Sequence, residues 1–310
     1  MNNRPHGIMF HHFHDEKKHP KGQGSISGEE FRKMIIFLQE NYNIISALEW
    51  FEKQKEQKLK QNDICFTFDD NLLCQYDIAL PILEEFKIKA FWFVYSSPLI
   101  GVKENLEIYR FFRNTHFSTI NEFYDSFNNF LIMSIEGQEF KNKIKLLDTN
   151  QFLSSFSFYT VEDKIFRYTR DQILGVDKYN KLMNAMINQS DMNIDEISLR
   201  LWNTPSNIKY LHEKGHIIGL HSHSHPTALK MLSNSEQLDE YEKNMNILTS
   251  IIGSEIFSMS HPCNSYNDET LKILQNMNVN FGFRANMDLG YSTSLEYPRL
   301  DHALLIEKIK

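Results

Sequence analysis

Two aspartates, Asp69 and Asp70, stand side by side at the end of an apolar run in the stretch ICFTFDDNLL. Two carboxylates a few ångströms apart in a semi-buried site force one to take a proton unless a cation lies against them. In the stretch GLHSHSHP, His221 and His225 share a face whether the segment turns once as a helix or stays extended. Imidazole and carboxylate suit zinc or another late first-row ion. The sequence therefore predicts a divalent-metal site at Asp70, His221 and His225.

Two other chemistries fit parts of this pattern. Two histidines and one carboxylate also bind the iron of non-haem oxygenases. Asp69, beside the ligand aspartate, argues against an oxygenase, because that chemistry needs no such base. Cys263 is a candidate nucleophile, although no base is obviously dedicated to it. His223 has no matching partner, and we expect it to lie behind the ligands or in solvent.

Short apolar runs that predict β-strands precede all the polar motifs. They cover residues 7–10, 64–68, 90–94, 216–220, 256–259, 279–283 and 297–300. Helical patterns alternate with them: a capping-box signature at Ser27 opens the first helix, and residues 235–252 carry a clean apolar stripe. Strands that alternate with helices indicate parallel βα units, whose active sites gather where the strands end. We therefore predict an α/β fold in which the motifs converge on one face.

The alternation stops between about residues 100 and 204, where aromatic residues are scattered among Asn, Asp and Lys. We interpret this segment as a mostly helical insertion within a single catalytic domain of residues 1–310. Its aromatic residues either help to recognise a sugar or its carrier, or form the core of the insertion itself. The sequence favours neither alternative.

Three motifs in succession, FTFDDN, HSHSHP and HPCNSYND, resemble those of the NodB-type polysaccharide deacetylases, the family-four carbohydrate esterases. The segments GIMFHHFHD and YDIALPILEEFKIKAFWFV resemble bacterial members of the same family. The resemblance covers roughly residues 7–99 and 205–302. It implies a distorted (β/α)7 barrel-like NodB fold around a metal with one position open for water.

The resemblance implies a role for each motif position. Asp69 corresponds to the general base that takes a proton from a metal-bound water, and Asp70, His221 and His225 correspond to the metal ligands. Zinc is the expected ion, with cobalt, nickel or iron as alternatives. The ion and a backbone N–H, here that of Cys263, would stabilise the oxyanion.

The leaving amine needs a proton from an acid, which is usually a histidine. His302 matches a Leu-x-His pattern in letters, whereas His11 follows the first strand, where members with this N-terminal segment present a histidine to the site. We favour His11. Three residues beside the motifs are expected to contact substrate: Asn71, Pro262 and Asn264.

Three departures from the family pattern favour an alternative. Asn71 replaces the glycine of the first motif, and Ser260 occupies the position of an arginine that orients the base in many members. We find no convincing Asp-to-Trp fourth motif. A catalytically degenerate carbohydrate-binding protein is therefore the alternative to a metal-dependent deacetylase.

The composition of the chain bears on its class of partner and on its cellular compartment. The 310 residues carry a formal net charge of −7 and no long basic run, which argues against a nucleic-acid binder. We find no apolar segment that could cross a bilayer and no secretion signal at the start of the chain. The three cysteines make an odd count without metal-finger spacing. We expect a cytoplasmic enzyme whose substrate is an acetylated amino sugar, sugar nucleotide or glycan, in the synthesis of a surface polysaccharide.

Overall fold

The computed structural model describes residues 4–134, 136–153, 159–290 and 293–309. The chain divides into two compact units. Met1–Glu104 and Arg200–Lys310 together form the first, here called the barrel unit, and Asn105–Leu199 forms the second, the helical unit. All strands of the described residues belong to the barrel unit.

The strands are short, as expected for small βα units. Their bounds are β1 (His6–Phe10), β2 (Phe13–His14), β3 (Ile26–Ser27), β4 (Asn43–Ile44), β5 (Asp63–Phe68), β6 (Phe91–Val94), β7 (Ile217–Leu220), β8 (Ser258–Ser260), β9 (Phe281–Phe283) and β10 (Arg299–Asp301). The main sheet runs in the order β10-β1-β5-β6-β7-β8-β9, with β4 beside β5, and its pairings are parallel. Strands β2 and β3 form a separate parallel pair.

Backbone hydrogen bonds nearly close this sheet on itself. The N–H of Tyr297 donates to the carbonyl of Gly282 at 2.9 Å, and the N–H of Arg284 donates to the carbonyl of Tyr297 at 3.0 Å. These bonds join β9 to the chain that enters β10. Each of the seven apolar runs predicted as strands overlaps one strand of the resulting barrel, so the predicted distorted (β/α)7 barrel-like fold is confirmed.

Helices fill the intervals between the strands and form the helical unit. Their bounds are α1 (Gly28–Asn41), α2 (Ala47–Lys55), α3 (Leu80–Glu85), α4 (Asn105–Thr115), α5 (Ile120–Met133), α6 (Gly137–Lys143), α7 (Val161–Tyr168), α8 (Gly175–Asn188), α9 (Ile194–Ser198), α10 (Pro205–Glu213), α11 (Asn234–Ile252), α12 (Asp268–Asn276) and α13 (His302–Ile309). Ser27 and Glu30 form the capping box that the sequence predicted for α1. None of the described helices combines the length and the apolar character needed to cross a membrane.

Aromatic rings pack together in the core of the barrel unit. Phe91, Phe93, Phe281 and Phe283 are fully buried, and the centroids of neighbouring rings lie 5.1 to 5.8 Å apart. The guanidinium carbon of Arg299 lies 5.8 Å from the Phe93 ring and 6.0 Å from the Phe283 ring. The sheet therefore buries one charged side chain against its apolar core, next to the strand ends that carry the motifs.

Candidate active site

The carboxyl ends of β5 and β7 bring the three predicted metal ligands together. Asp70 follows β5, His221 follows β7, and His225 lies four residues further along. Asp70 Oδ1 lies 3.2 Å from Nε2 of His221 and 3.2 Å from Nε2 of His225. The three ligand atoms all lie within 4.8 Å of one another. Segments 150 residues apart in the chain thus converge on one point, as parallel strands allow.

The donor set fits a divalent cation. Asp70 Oδ1 is buried and accepts no properly directed hydrogen bond, although two ring nitrogens face it. Burial pushes the pKa of Asp70 upward, but the facing imidazoles of His225 and His221, with His11 nearby, hold this pKa well below its usual value. One carboxylate oxygen and two imidazole nitrogens directed at one point are a typical ligand set for zinc.

Hydrogen bonds behind His221 fix the direction of its ring. Nδ1 lies 3.0 Å from the carbonyl oxygen of Ser260 and 2.7 Å from its hydroxyl. The backbone N–H of His221 donates to Oδ1 of Asn244 at 2.9 Å, and Nδ2 of Asn244 donates to the carbonyl of Val94. An Nδ1–H that donates to a carbonyl leaves Nε2 as the free acceptor that a metal requires.

Glu240 on α11 holds the loop that carries both imidazoles. Its Oε2 accepts the N–H groups of His223 and Ser224 at 2.9 and 2.8 Å, and its Oε1 accepts the hydroxyl of Ser224 at 2.6 Å. The ring of His223 faces away from the ligand cluster, since its Nδ1 contacts the hydroxyl of Ser96 at 3.0 Å. His223 therefore belongs to the support of the loop and not to the ligand set.

A buried arginine compensates the second aspartate. Nη1 of Arg299 donates to Oδ1 of Asp69 and Nη2 donates to Oδ2, both at 2.7 Å, while Nε donates to the carbonyl of Arg284. Arg299 is 1% exposed and Asp69 2%. Burial raises the pKa of Asp69, but Arg299, followed by His221 and His11, outweighs burial and keeps this pKa below its usual value. The adjacent carboxylates thus coexist because each faces its own positive or metal-binding partner.

Sequence reasoning missed Arg299 and treated the orienting arginine as lost. Ser260, at the position where many relatives have that arginine, donates its hydroxyl to Oδ1 of Asp69 at 3.2 Å. The arginine beside Asp69 is instead Arg299 of β10, the strand that β9 nearly meets where the sheet closes. A charged residue inside the predicted strand 297–300 was the available signal.

Gly7 on β1 makes room for this arginine. A Cβ at position 7 would lie 3.0 Å from Cγ of Arg299 and 3.2 Å from Cγ2 of Thr67. Such contacts are tighter than ordinary packing allows, so a larger residue would displace the arginine or the strand.

Each of the three motif turns contains two non-glycine residues in the left-handed region. They are Asp70 and Asn71 with φ of 75° and 54°, Ser222 and His225 with 61° and 54°, and Cys263 and Asn264 with 51° and 55°. Such conformations cost free energy and cluster at functional sites. Asparagine tolerates them better than most residues, which explains how Asn71 stands where relatives have glycine.

His11 lies at the mouth of the cluster. Its Nε2 is 3.9 Å from Oδ2 of Asp69 and 3.8 Å from Oδ2 of Asp70, and its side chain is 28% exposed. A glutamine side chain holds the backbone at His11. Nε2 of Gln75 donates to the carbonyl of His11 at 2.9 Å and to that of Asp69 at 2.6 Å. Gln75 therefore ties the segment of His11 to the segment of the carboxylates.

His302 does not join this cluster, which corrects its place among the candidate acids. Its Nδ1 lies 3.2 Å from the carbonyl of Met9, its Nε2 lies 3.0 Å from the carbonyl of Gly24, and its ring stacks on Phe10. Burial lowers the pKa of His302, which is 3% exposed. A ring whose two nitrogens both face backbone carbonyls is a structural histidine.

The remaining predicted residues lie in the same motif turns. Cys263 is exposed and Pro262 buried in the short turn Pro262–Asn264 after β8. Asn264 uses its Oδ1 to accept the N–H of Ala285 at 2.9 Å, so it supports the next loop. The side-chain nitrogen and oxygen of Asn71 are buried and make no hydrogen bond within the described parts of the chain. These buried atoms distinguish Asn71 from Asn264, whose Oδ1 is already bonded to the next loop.

Comparisons with known proteins concern the family and the fold of this chain. The family model of polysaccharide deacetylase matches residues 154–282, a span that includes His221 and His225. No sequence among curated proteins matches the chain. Among solved structures, the Streptococcus pyogenes deacetylase PplD in complex with acetate is 15% identical with a TM-score of 0.56, over 100% of both chains.

Two further deacetylases share the fold. A de-N-acetylase from Aggregatibacter actinomycetemcomitans is 11% identical with a TM-score of 0.57, over 96% of this chain and 93% of that one. IcaB from Ammonifex degensii is 13% identical with a TM-score of 0.56, over 97% and 91%. At such identities the structural likeness shows the fold. Together with the family model over residues 154–282 it supports the resemblance to NodB-type polysaccharide deacetylases.

Proposed function

We propose that this deacetylase-type chain removes an N-acyl group, in the first instance acetyl, from an amino sugar of a glycan or glycan precursor. The observation that supports this most directly is the pairing of two differently compensated carboxylates. Asp70 Oδ1 faces two ring nitrogens at 3.2 Å, whereas Asp69 is bound at both oxygens by Arg299. One acid is suited to bind a metal and the other to accept a proton.

Asp70, His221 and His225 would hold a divalent ion, for which zinc is our first choice and cobalt, nickel or iron are the alternatives. When bound, such an ion lowers the pKa of a water molecule and polarises a carbonyl oxygen. The unpartnered Asp70 Oδ1 supports this proposal, because a buried carboxylate oxygen without a donor is costly unless a cation joins it.

Asp69 would take a proton from the water that adds to the acyl carbon. Its Oδ2 lies 3.9 Å from Nε2 of both His11 and His221, so one edge of the carboxylate faces the cluster. Arg299 holds this edge in a fixed orientation and keeps the group ionised. A base that is already oriented loses little entropy in the reaction.

His11 would give a proton to the nitrogen as the carbon–nitrogen bond breaks, which releases the free amine and a carboxylic acid. Its half-buried ring lies within 4 Å of both carboxylates and remains accessible from solvent. The backbone N–H of Cys263 is our proposed donor to the oxyanion, a type of contact worth about 3 kcal/mol. Asn71 and Pro262 would line the substrate side.

The alternative of a degenerate binding protein loses its main argument. It rested on the absence of an arginine beside Asp69 and of a fourth motif, and Arg299 supplies the arginine contact from β10. Asp69, beside the candidate ligand Asp70, argues against the oxygenase alternative, because that chemistry needs no such base. The thiol of Cys263 is not needed as a nucleophile when Asp69 can activate water.

Two variants separate the proposed roles. Asp69→Asn should lose at least about 10³-fold in acetate release but keep its metal, because it removes a general base and no ligand. His221→Ala should lose both. His212→Ala on α10 should keep both and serves as the histidine control. Acetate release on acetylated amino sugars, with metal content by mass spectrometry, is the measurement; an active Asp69→Asn variant would refute the proposal.

The proposed setting is the cytoplasm, with a sugar nucleotide or lipid-linked precursor of a surface polysaccharide as substrate. Cys65, Cys74 and Cys263 form no disulfide with one another, which is typical of a reducing compartment. Acetate release from polymeric glycan alone, and from no acetylated sugar nucleotide or lipid-linked sugar, would overturn this setting and leave the deacetylase chemistry intact.

A further inference from the structure

The four arginines of the helical unit form a chain of charges that act on one another. Arg110 and Arg113 lie three residues apart on α4, Arg167 lies near the end of α7, and Arg170 lies in the π-helical turn Thr169–Leu174 that follows. Residues three apart share one face of a helix. The charge of Arg113 acts on Arg110 and on Arg167, and that of Arg167 acts on Arg170. We call these four residues the arginine cluster.

Arg113 lacks a partner within this cluster. Its guanidinium makes no hydrogen bond or ion pair with any described residue, and its Nε is buried. Burial lowers the pKa of Arg113, and repulsion by Arg110 lowers it further. The nearby Asp163 accepts the hydroxyl of Tyr124 and the N–H of Thr160, so it is already engaged. The charge of Asp163 acts on Arg113, but no described acceptor is hydrogen-bonded to the guanidinium.

Arg167 is also without a carboxylate. Its guanidinium carbon lies 4.0 Å above the ring of Tyr159, which leaves the planar edge of the group available. Burial lowers its pKa, and the neighbouring Arg170 and Arg113 add to this effect. Arg170 itself binds Asp171 through Nε at 2.6 Å and Nη2 at 2.8 Å, with 28% of its side chain exposed.

A tyrosine hydroxyl completes the set of donors. Tyr179 on α8 lies within electrostatic range of Arg113, Arg167 and Arg170, and burial raises its pKa to about 12. Arg170 is bonded to Asp171, so the guanidinium donors left without a described acceptor are those of Arg113 and Arg167. The segment that carries Arg170 is a π-helical turn, a feature that is frequent at functional sites.

We propose that the arginine cluster binds a phosphate-type oxyanion, with Arg113 and Arg167 as the principal donors. The planar fork of arginine matches two oxygens of one phosphate, and the anion supplies the missing counter-charge. One source of the phosphate group is the nucleoside diphosphate or lipid diphosphate that carries the substrate sugar. For this source the proposal rests on the proposed function. Free inorganic phosphate is the other source.

Calorimetric titration of the full chain with inorganic phosphate and with uridine diphosphate tests the proposal at constant ionic strength. Wild type should show saturable one-site binding, at least tenfold weaker in Arg113→Met and in Arg167→Met. Lys178→Met removes an exposed positive charge from α8 and should bind like wild type. Absence of saturable binding of both probes, or an equal loss in the lysine variant, would overturn the proposal. Tighter binding of the diphosphate indicates the carrier, and equal binding indicates free phosphate.

Thermal unfolding distinguishes a binding role from a structural one. Without phosphate, Arg113→Met should unfold at the same or a higher temperature than wild type, because it removes a repelled buried charge. Phosphate should raise the unfolding temperature of wild type and not of the variant. Arg167→Lys, which keeps the charge and loses the fork, should show a reduced rise. A variant that is less stable without phosphate would assign Arg113 to the core instead. Neither measurement needs turnover, so a failure here leaves the deacetylase proposal standing.

Discussion

Arg299 binds both oxygens of Asp69 at 2.7 Å, although 230 residues separate the two in sequence. The contact exists because β10 and β5 both flank β1 in the parallel sheet. Both partners are buried, so the guanidinium compensates a charge that water cannot reach. The paired acids of the first motif therefore depend on the last strand of the barrel.

Replacement of Arg299 should slow the reaction without removing the metal. Arg299→Lys keeps one positive charge but cannot hold two oxygens, so we expect kcat to fall about 10²-fold, within the range that general-base catalysis contributes. The fall should be larger in Arg299→Met, which leaves a buried carboxylate uncompensated. Steady-state kinetics and metal analysis check both; loss of metal together with activity would mean that Arg299 supports the ligands.

A rescue experiment sharpens this test. The double variant Ser260→Arg/Arg299→Met moves the arginine from β10 to β8, the strand on which many relatives have it. Its guanidinium would occupy the place that Arg299 fills in wild type. We expect this variant to recover part of the activity that Arg299→Met loses. Equal activity of the single and double variants would contradict the idea that Asp69 needs one bidentate arginine, from whichever strand it comes.

Gly7 offers an indirect way to move Arg299. A Cβ at Gly7 would meet Cγ of Arg299 at 3.0 Å and Cγ2 of Thr67 at 3.2 Å. Gly7→Ala should therefore displace the guanidinium and lower kcat, while metal content stays unchanged. Gly28→Ala is the matched control: its Cβ would meet side-chain methyl groups, Cδ1 of Ile82 at 3.2 Å and Cγ2 of Ile78 at 3.4 Å. Comparable losses in the two variants would show that the effect is general destabilisation.

Glu240 should control metal affinity from outside the ligand set. Glu240→Ala leaves the N–H groups of His223 and Ser224 without their acceptor and loosens the loop that carries both imidazole ligands. We expect metal binding to weaken about 10- to 100-fold, as is typical when an outer support is lost. Glu242→Ala, an exposed neighbour on α11, should bind metal like wild type. Competition with a chelating dye measures both.

Local signals made most of the fold predictable. The apolar runs of the seven barrel strands and the capping box at Ser27 are encoded within a few residues, so each can be recognised without its neighbours. The ligand set was predictable for the same reason, since FTFDDN and HSHSHP each carry their ligands on one turn. All four residues of the candidate metal and base site, Asp69, Asp70, His221 and His225, lie in these two motifs and needed no knowledge of tertiary structure beyond the parallel sheet.

The supports of the site were not predictable, because they depend on contacts between distant elements. Asn244 and Glu240 lie on α11, whose apolar stripe indicated the buried face but not that polar side chains on it bind the loop after β7. Arg299 reaches Asp69 only once the sheet has curved towards closure. His302 was misplaced because the letters Leu-x-His do not say that both ring nitrogens face backbone carbonyls.

His216 should make the fold sensitive to acid. Its Nδ1 accepts the N–H of Ala90 and the indole N–H of Trp92, both at 3.1 Å, and burial lowers its pKa to about 3. Below pH 6.5 the unfolded chain therefore binds a proton at His216 that the folded chain does not, so the free energy of unfolding falls as pH falls from 6.5 towards 3. The variant His216→Gln keeps an acceptor for these two N–H groups and cannot titrate.

Between pH 5 and 6, we expect the unfolding free energy of His216→Gln to vary less steeply with pH than that of wild type, by about 1 kcal/mol per pH unit. Urea unfolding measures both slopes, with the exposed His116→Gln as control; equal slopes in wild type and His216→Gln would show that His216 is protonated in the folded chain as well.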